Sequence, residues 1–394
     1  MPWNRTNPEK ERMAFVVAYQ QEQDCMTALC RAFGVSRKTG YMWVARVEAD
    51  GPVGCRERSR APQHHPHAVA AEVRAVVVAA RLAHPTWGPR KLRAHLRGTQ
   101  SQHVWPAPST MGTFLAQEGL VAPRRKRRAS PPYTQPFQAC QGPNDVWCAD
   151  FKGWFRTGDG QRCDPVTLTD AYSRVLLRCV ALSHPTLAEV RPVFEAAFQE
   201  YGLPLAIRTD NGTPFASTSV SGLSTLSLWW LKLGIIPERI APGHPEQNGR
   251  HERMHRTLKA ETAAPPAANC QAQQAAFDRF QTEYSTVRPH EALGQRPALT
   301  RYVPSPRPYP RELREFTYPH ADAVRQVGSE GTIRWHQQRL FLSEVLSGEP
   351  VGLYHRASGL WEVQLGPLTL GTFQEHDPEP RLHPSRDPWR KEVS

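Results

Sequence analysis

The central part of the chain alternates between short apolar runs and longer stretches in which apolar residues recur every three or four positions. The short runs predict strands, and the longer spacing predicts helices. Strands are expected at 146–151, 165–170, 175–182, 205–210 and 235–240, and helices at about 186–201, 221–233, from Glu252 onward, and 269–286. Strands and helices in this order predict an α/β core over residues 144–300.

The N-terminal stretch has the apolar spacing of three short helices. They are predicted at Glu9 to Gln21, at Met26 to Phe33, and from an N-cap at Ser36 to about Glu48. Two helices joined by a Gly-containing turn are typical of a helix-turn-helix, so residues 1–52 are predicted to bind DNA. The candidate DNA contacts are Arg37, Lys38 and Tyr41. Trp43 is expected in the core, because Val44 and Val47 beside it are apolar.

A second helical unit of similar architecture is predicted over residues 66–122. Helices are expected at Ala68 to Ala83 and at Ser109 to Glu118, with a short helix between them that opens with Trp87 to Leu92; Arg90 and Lys91 are candidate DNA contacts. Residues 123–143 form a basic, Pro-rich linker. Its five consecutive basic residues are expected to follow DNA phosphates: Arg124, Arg125, Lys126, Arg127 and Arg128.

The C-terminal part changes in composition twice. Residues 301–320 are rich in proline and predict a linker. Five β-like runs separated by Gly and Ser turns then predict a small β-barrel over residues 321–376. Residues 377–394 are polar and Pro-rich, which is typical of a disordered tail.

Charge is distributed unevenly between these regions. Residues 1–130 hold 21 Lys and Arg against 9 Asp and Glu, whereas residues 131–394 hold 28 of each. The whole net charge of +12 therefore lies in the N-terminal third. This asymmetry favours a nucleic-acid-binding region joined to a neutral catalytic region over a uniformly basic soluble surface.

Cysteine spacing and hydropathy indicate the compartment. The eight cysteines include no Cys-x-x-Cys pair, which favours reduced thiols over disulfides or a structural zinc site. A zinc site at His64, His65 and His67 is disfavoured for the same reason. No run of 18 apolar residues and no secretory signal is present, so a cytoplasmic, nucleoid-associated protein without membrane contact is expected.

Three carboxylates have local settings that suit a shared metal site. Asp150 and Asp210 each end a predicted strand, and Asn211-Gly212 supplies a turn after the second. Glu252 opens a helix and shares one face with Arg256 and Lys259, at i, i+4 and i+7. Carboxylate oxygens are preferred ligands of Mg²⁺, and two such ions roughly 3.5–4 Å apart can clamp a phosphodiester. Among the competing carboxylates, Asp145 precedes the first strand and is expected to point away from the site, and Asp170 is expected to be a turn residue.

Four ordered motifs make the chain resemble insertion-sequence transposases of the retroviral-integrase-like DDE superfamily, in the single-frame branch with N-terminal helix-turn-helix units. They lie at Asn144 to Phe151, Thr169 to Arg174, Thr209 to Phe215 and Pro242 to Lys259, and Arg288-Pro289-His290 matches the end of that core. The resemblance implies an RNase H-like core with a mixed sheet. It also implies two Mg²⁺ (or Mn²⁺) ions and cleavage of transposon ends followed by strand transfer.

By position, the resemblance makes Asp150, Asp210 and Glu252 the metal-binding triad and makes Lys259 a contact to the transposon end. Arg256 is expected to stabilise charge beside it. Asn211, Gly212, His244 and Asn248 are supporting candidates, the last two either positioning substrate or ordering their loop. The 41 residues between Asp210 and Glu252 exceed the spacing typical of the family, and the surplus is expected in the loop at 217–226.

The expected partners are double-stranded DNA, as transposon ends and as target, and further copies of the chain in a homodimer or higher multimer. Two alternative functions remain open from the sequence. One is a cleavage-dead DNA-binding regulator derived from a transposase, which an intact triad disfavours. The other is an RNase H-type nuclease, which leaves the N-terminal units and the C-terminal domain without a role.

Overall fold

The structure is a computed structural model that describes residues 7–59, 69–121, 140–217, 222–240 and 249–385. The chain divides into two compact units, residues 1–68 and 69–394. The predicted basic run at 124–128, most of its linker, and the histidines at 64, 65 and 67 lie outside the described residues.

The first unit contains the three predicted helices, α1 (Pro8–Gln20), α2 (Met26–Ala32) and α3 (Arg37–Asp50). The Ser36 hydroxyl accepts a hydrogen bond from Thr39 N at 3.2 Å, which confirms the predicted N-cap. Trp43 is 4% exposed, as predicted, and the guanidinium of Arg12 lies 4.2 Å from its ring centroid. Gly40 permits close packing of α1, because a Cβ there would lie 2.7 Å from Phe15.

The second unit opens with three more helices, α4 (Ala71–Ala83), α5 (Pro89–Thr99) and α6 (Pro108–Gln117). Trp87, Leu92, Leu96 and Met111 form their shared core. This helical group packs directly on the α/β core of the same unit. His84 Nδ1 lies 2.8 Å from Glu283, and Arg90 lies 3.2 Å from Glu291. The second helical group is therefore anchored to the core.

The core is built on a mixed six-stranded sheet. Its strands are β1 (Val146–Phe151), β2 (Phe155–Arg156), β3 (Arg162–Asp170), β4 (Leu176–Leu182), β5 (Ala206–Thr209) and β6 (Ile236–Arg239). They are ordered β2-β3-β1-β5-β6, with β4 also paired to β3. β1 is antiparallel to β3 but parallel to β5, and β5 is parallel to β6. The predicted mixed sheet is confirmed.

Helices cover both faces of this sheet. α7 (Leu187–Tyr201) and α8 (Thr225–Lys232) pack on one face, where Trp147, Phe194, Phe198 and Trp230 are buried together. α9 (Gly249–Thr262) and α10 (Cys270–Thr286) pack on the other, through Met254, Leu258, Phe277 and Phe280. The helices are those predicted from apolar spacing, with two boundaries changed. α9 begins at Gly249 rather than at Glu252, and α8 begins at Thr225 rather than at 221, because Ser224 and Ser227 form a capping box there.

Part of the Pro-rich segment predicted as a linker, residues 301–309, packs against the core. Arg307 donates hydrogen bonds to the carbonyl oxygens of Pro204, at 2.7 Å, and Gly234, at 2.8 Å. The Tyr309 hydroxyl donates to Glu195 at 3.0 Å. Backbone carbonyls at strand and helix ends thus find partners in residues 301–309, which apolar periodicity does not reveal.

The C-terminal strands form two sheets. They are β7 (Ala323–Gln326), β8 (Thr332–Trp335), β9 (Gln338–Phe341), β10 (Pro350–Ala357), β11 (Leu360–Leu365), β12 (Leu368–Gln374) and β13 (His383–Pro384). The sheets have the orders β13-β12-β11-β10-β7 and β8-β9. The predicted strands are confirmed, but closure into a barrel is not seen among the described residues and stays a prediction. The disordered tail was predicted to begin too early, since β13 pairs with β12.

α8 connects the two cores of this unit. Leu226 and Trp230 face the six-stranded sheet, whereas Leu228 and Leu231 join the apolar cluster of the C-terminal sheets. Lys232 at its end lies 2.5 Å from Glu349. No helix of the described residues is both long enough and apolar enough to cross a membrane.

Candidate functional site

Asp150 and Asp210 are brought to the same level of the sheet by strand register. In the parallel pair β1 and β5, Trp147 is level with Ile207 and Cys148 with Arg208. Continuing this register by two residues brings Asp150 level with Asp210. Side chains alternate along a strand, so Asp150 projects to the same face as Cys148, and Asp210, the residue directly after β5, would project there if it keeps the alternation of that strand. The sequence prediction that two strand-end aspartates share an edge thus agrees with the strand pairing.

α9 lies on the face to which these aspartates project. Thr167 is the partner of Asp150 across the antiparallel pair, and its hydroxyl contacts two histidines of α9. Met254 and Leu258 are buried against the core, whereas Glu252, Arg256 and Lys259 are exposed. The predicted amphipathic division of this helix is therefore confirmed. Glu252 directly follows His251, which lies close to Asp150, and the side chain of Glu252 is exposed.

The two histidines of α9 form a buried polar cluster that the sequence analysis missed. His251 is 3% exposed and His255 is 7% exposed. The Thr167 hydroxyl lies 2.6 Å from His251 Nε2 and 2.7 Å from His255 Nε2. The Thr169 hydroxyl lies 3.1 Å from His251 Nδ1, and His255 Nδ1 lies 3.9 Å from Asp150 Oδ2. Histidines four residues apart on the Glu252 helix were the available sequence signal.

Burial keeps both imidazoles neutral. It lowers the pKa of His251 to about 3. It also lowers the pKa of His255 to about 2, with smaller contributions from His251 and from the ammonium of Lys152. Desolvation disfavours the charged imidazolium and is the largest cause of both shifts. These side chains therefore act as neutral donors and acceptors near neutral pH.

Lys152 is a second residue missed from the sequence. It is half-buried two positions after Asp150. Burial lowers its pKa, the nearby charge of Lys259 lowers it further, and Asp150 opposes the shift. Lys152 and Lys259 thus lie close enough to interact electrostatically beside Asp150. This brings positive charge from β1 and α9 to the same edge, where a phosphate anion could be held.

The remaining carboxylates weighed from the sequence have structural roles. Asp170 is buried and accepts hydrogen bonds from Ser173 N at 2.6 Å and from Asn144 N at 2.8 Å. Asp145 accepts from Gln141 N and Gly142 N, both at 2.7 Å. These contacts agree with the prediction that Asp170 is a turn residue, and they show Asp145 bonded to the backbone that precedes β1.

The supporting and DNA-contact candidates have varied positions. Asn211 donates to Ile240 O at 3.1 Å, and Gly212 N donates to Asp210 Oδ1 at 3.2 Å, so the turn restrains the Asp210 side chain. His244 and Asn248 lie outside the described residues. On α3, the three candidate contacts are exposed: Arg37, Lys38 and Tyr41. Each remains a prediction.

Lys91 does not lie on an open surface. Its ammonium donates a hydrogen bond to Pro289 O. Burial, followed by the charge of Arg288, lowers its pKa to about 8. Arg90 beside it is exposed and pairs with Glu291. A DNA contact by Lys91 therefore requires it to leave the core, whereas Arg90 is accessible where it stands.

The donor set suits a divalent cation. The described residues include a group of Asp150, His251 and His255 whose ligand atoms lie within 4.8 Å of one another. Asp210 adds a carboxylate at the same strand level. Carboxylate oxygens suit Mg²⁺ and Mn²⁺, and a neutral imidazole can join them as a nitrogen ligand. The residues present therefore fit the metal that the resemblance implies.

Comparison with known families agrees with this architecture. Two profiles of an integrase core domain match residues 141–245 and 233–297. Two profiles of a homeodomain-like domain match residues 6–54 and 39–115. The homeodomain is a three-helix variant of the helix-turn-helix. The predicted integrase-like core and N-terminal helix-turn-helix architecture are thereby confirmed.

The similar curated proteins come from insertion elements. An uncharacterized protein of insertion element IS476 from Xanthomonas euvesicatoria is 28% identical over 188 residues, which is 46% of this chain and 52% of that protein. One of insertion element IS407 from Burkholderia multivorans is 27% identical over 226 residues, which is 55% of this chain and 77% of that protein. The matched region thus spans about half the length of the first relative.

Solved structures with similarity include two retroviral integrase assemblies. The HTLV-2 integrase catalytic core domain in complex with magnesium is 16% identical, with a TM-score of 0.31, and the match covers 41% of this chain and 99% of that one. A simian T-cell lymphotropic virus intasome in complex with PP2A regulatory subunit B56 gamma is 16% identical, with a TM-score of 0.36, and covers 77% and 95%.

The domain matches and the insertion-element relatives define the class of protein: an integrase core preceded by helix-turn-helix domains. The chain is similar in these segments to integrase core domains and homeodomain-like domains, and over about half of its length to proteins of insertion elements.

Proposed function

We propose that this protein is a transposase that binds the inverted repeats of its insertion element and catalyses DNA strand cleavage and strand transfer. The observation that supports the proposal most directly is the parallel pairing of β1 with β5, because Asp150 lies in β1, Asp210 directly follows β5, and α9, which bears Glu252, packs on the same sheet. The family match and the insertion-element relatives support the same function.

In this proposal Asp150, Asp210 and Glu252 hold two divalent ions, Mg²⁺ or Mn²⁺. Such ions activate a water or a 3′-hydroxyl and stabilise charge on the phosphate being transferred. The protein's own residues position the DNA. Arg256 and Lys259 lie on the same exposed helix face as Glu252, where they are suited to contact phosphates beside the scissile bond.

The N-terminal helices supply recognition. α3 exposes Arg37, Lys38 and Tyr41, the face that a recognition helix turns to the major groove. The net charge of residues 1–130 adds attraction to the phosphate backbone that does not depend on base sequence. Double-stranded DNA, as element ends and as target, is the proposed substrate, and a homodimer or higher multimer would bring two ends together.

The first prediction tests the triad. Asp150→Asn, Asp210→Asn and Glu252→Gln should each reduce Mg²⁺-dependent cleavage of the element's own flanking DNA by at least about a hundredfold, because each removes a metal ligand. End binding measured by gel shift should change little. Asp278→Asn is the matched control, since this exposed carboxylate of α10 is bonded only by Gln274 in the described contacts. Cleavage that survives any triad change refutes that residue's assignment.

The same assay separates the alternatives. A regulator derived from a transposase would bind the flanking DNA without cutting it under any metal condition. An RNase H-type nuclease would cut an RNA–DNA hybrid in preference to the element ends. Specific nicking at the end of the inverted repeat, followed by joining to a second DNA, is expected only of a transposase.

A further inference from the structure

The two buried histidines of α9 have different hydrogen-bonding environments. Both nitrogens of His251 contact threonine hydroxyls, Nε2 at 2.6 Å from Thr167 and Nδ1 at 3.1 Å from Thr169. His255 contacts Thr167 through Nε2 alone, at 2.7 Å. Its Nδ1 faces Asp150 Oδ2 at 3.9 Å, which is beyond hydrogen-bonding distance.

The Thr167 hydroxyl determines which nitrogen of each ring carries the proton. This hydroxyl has one proton and two lone pairs, and it makes three contacts. The third contact is the carbonyl oxygen of Asp150, at 3.2 Å. All three contacts can be hydrogen bonds only if the hydroxyl donates to this carbonyl and its two lone pairs accept from Nε2–H of His251 and of His255. In this arrangement each ring carries a proton on Nε2.

This assignment leaves the Nδ1 lone pairs in unlike situations. The lone pair of His251 Nδ1 accepts a hydrogen bond from the Thr169 hydroxyl. That of His255 Nδ1 points toward the Asp150 carboxylate. A divalent ion between these two electron-rich atoms would be attracted by both of them.

We propose that His255 Nδ1 is a nitrogen ligand of the divalent ion held by Asp150. Two atoms bound to one ion at about 2.1 Å each can lie at most about 4.2 Å apart, and the observed 3.9 Å meets this limit. His251 orients the cluster through its two threonines and is not a ligand. The inference rests on the proposed function, since it adds a residue to the metal site of that function.

The chemical consequence is a change in metal preference. Mg²⁺ favours oxygen ligands and rarely accepts imidazole, whereas affinity for nitrogen-containing sites rises across the transition metals. A site with one imidazole beside its carboxylates should therefore favour Mn²⁺ over Mg²⁺ more strongly than a site of carboxylates alone. The Nε2–H bond to Thr167 would fix the ring orientation, as partners of ligating histidines do.

The test is pulsed electron paramagnetic resonance of Mn²⁺ bound to the full-length protein, which detects nitrogen nuclei coordinated to the ion without any measurement of activity. The wild type should show ¹⁴N modulation from an imidazole, and labelling all histidines with ¹⁵N should replace it by the ¹⁵N pattern. The labelling needs no substitution, so it holds even if a variant fails to fold.

His255→Asn identifies the residue, with His251→Asn as its matched control on the same helix. The nitrogen signal should disappear in His255→Asn and persist in His251→Asn. Mn²⁺ affinity should fall at least about tenfold in His255→Asn, with a smaller change in Mg²⁺ affinity. Bound Mn²⁺ without nitrogen modulation, or a signal that depends on His251 instead, would overturn the inference alone. Failure of the wild type to bind Mn²⁺ would overturn the proposed function as well.

Discussion

Lys259 lies on the exposed face of α9, seven residues after Glu252. Because it also influences the pKa of Lys152, its ammonium lies near the Asp150 edge of the sheet. Lys259→Glu should therefore reduce cleavage of the element end by at least about tenfold, while overall DNA binding falls much less, since a phosphate contact beside the reacting bond acts mainly on positioning. Steady-state cleavage and gel-shift titrations of one preparation measure the two effects.

The control for this charge reversal has to be an exposed cationic side chain of the same core for which the described contacts include no ion pair. Lys232 is unsuitable, because it lies 2.5 Å from Glu349 and links the core to the C-terminal sheets. Arg279→Glu on the exposed side of α10 is the better match. Equal losses of cleavage from the two reversals would make Lys259 an ordinary solvated lysine.

His290, in the Arg-Pro-His motif, is buried. Its Nε2 donates to Tyr284 O at 2.9 Å. Burial lowers its pKa to about 4; the bond to Tyr284 opposes the shift, and the charges of Lys91, Arg288 and Arg174 add to it. Since the unfolded chain binds this proton near pH 6.5 and the folded chain does not, His290 destabilises the fold progressively as the pH falls from about 6.5 to about 4.

The expected cost at pH 5 is about 2 kcal/mol relative to pH 7.5, at about 1.4 kcal/mol per pKa unit. Denaturant unfolding at both pH values should show a pH-dependent loss that is smaller by this amount in His290→Gln. His184→Gln should keep the wild-type loss, because the side chain of His184 is 62% exposed. A His290→Gln profile parallel to the wild type would contradict the low pKa.

At the scale of elements, two ion pairs lie at the junction between the second helical group and the core, and their environments differ. Arg288 is 8% exposed in its side chain and lies 2.8 Å from Glu261, which also bonds Thr86. Arg90 and Glu291 pair at 3.2 Å with side chains 73% and 72% exposed. Removing one partner from a buried pair leaves a desolvated charge, whereas an exposed pair contributes little.

Glu261→Gln should therefore destabilise the protein by about 3 kcal/mol, and Glu291→Gln, the same chemical change, by less than about 1 kcal/mol. Thermal unfolding of both variants at one pH measures the difference. Similar shifts in Tm would mean that Glu261 does not neutralise Arg288 in solution.

Elements that bury a single face follow one apolar period and were predictable from the sequence. An element that packs against two different cores was not. The strand ending at Asp150 and the Glu252 helix agree with their predicted positions, because each buries a single face. α8 buries Leu226 against the sheet and Leu231 against the C-terminal domain. Apolar residues therefore occur on all sides of this helix, and apolar periodicity does not show where it begins. His251 and His255 resemble core histidines in the sequence, and only the pairing of Asp150 with Thr167 shows their relation to the site.

At the scale of the whole molecule, the excess positive charge of the N-terminal third makes a prediction about salt. Each phosphate contact that is lost should reduce the slope of log affinity against log salt concentration by about 0.9. In the full-length protein, Arg37→Ala combined with Lys38→Ala should therefore reduce the slope for end DNA by about 2, because both side chains are exposed on α3. Fluorescence anisotropy over a series of salt concentrations measures it.

Arg339→Ala combined with Arg381→Ala removes the same charge from the C-terminal domain and is the matched control. Both arginines are exposed and paired with glutamates there, at 2.8 Å from Glu330 and 3.5 Å from Glu379. If recognition resides in the N-terminal helices, this control should leave the slope within about 0.5 of the wild type, since no phosphate contact is removed. An equal reduction from both double variants would mean that net charge alone attracts DNA, and the division between a binding region and a catalytic region would have to be abandoned.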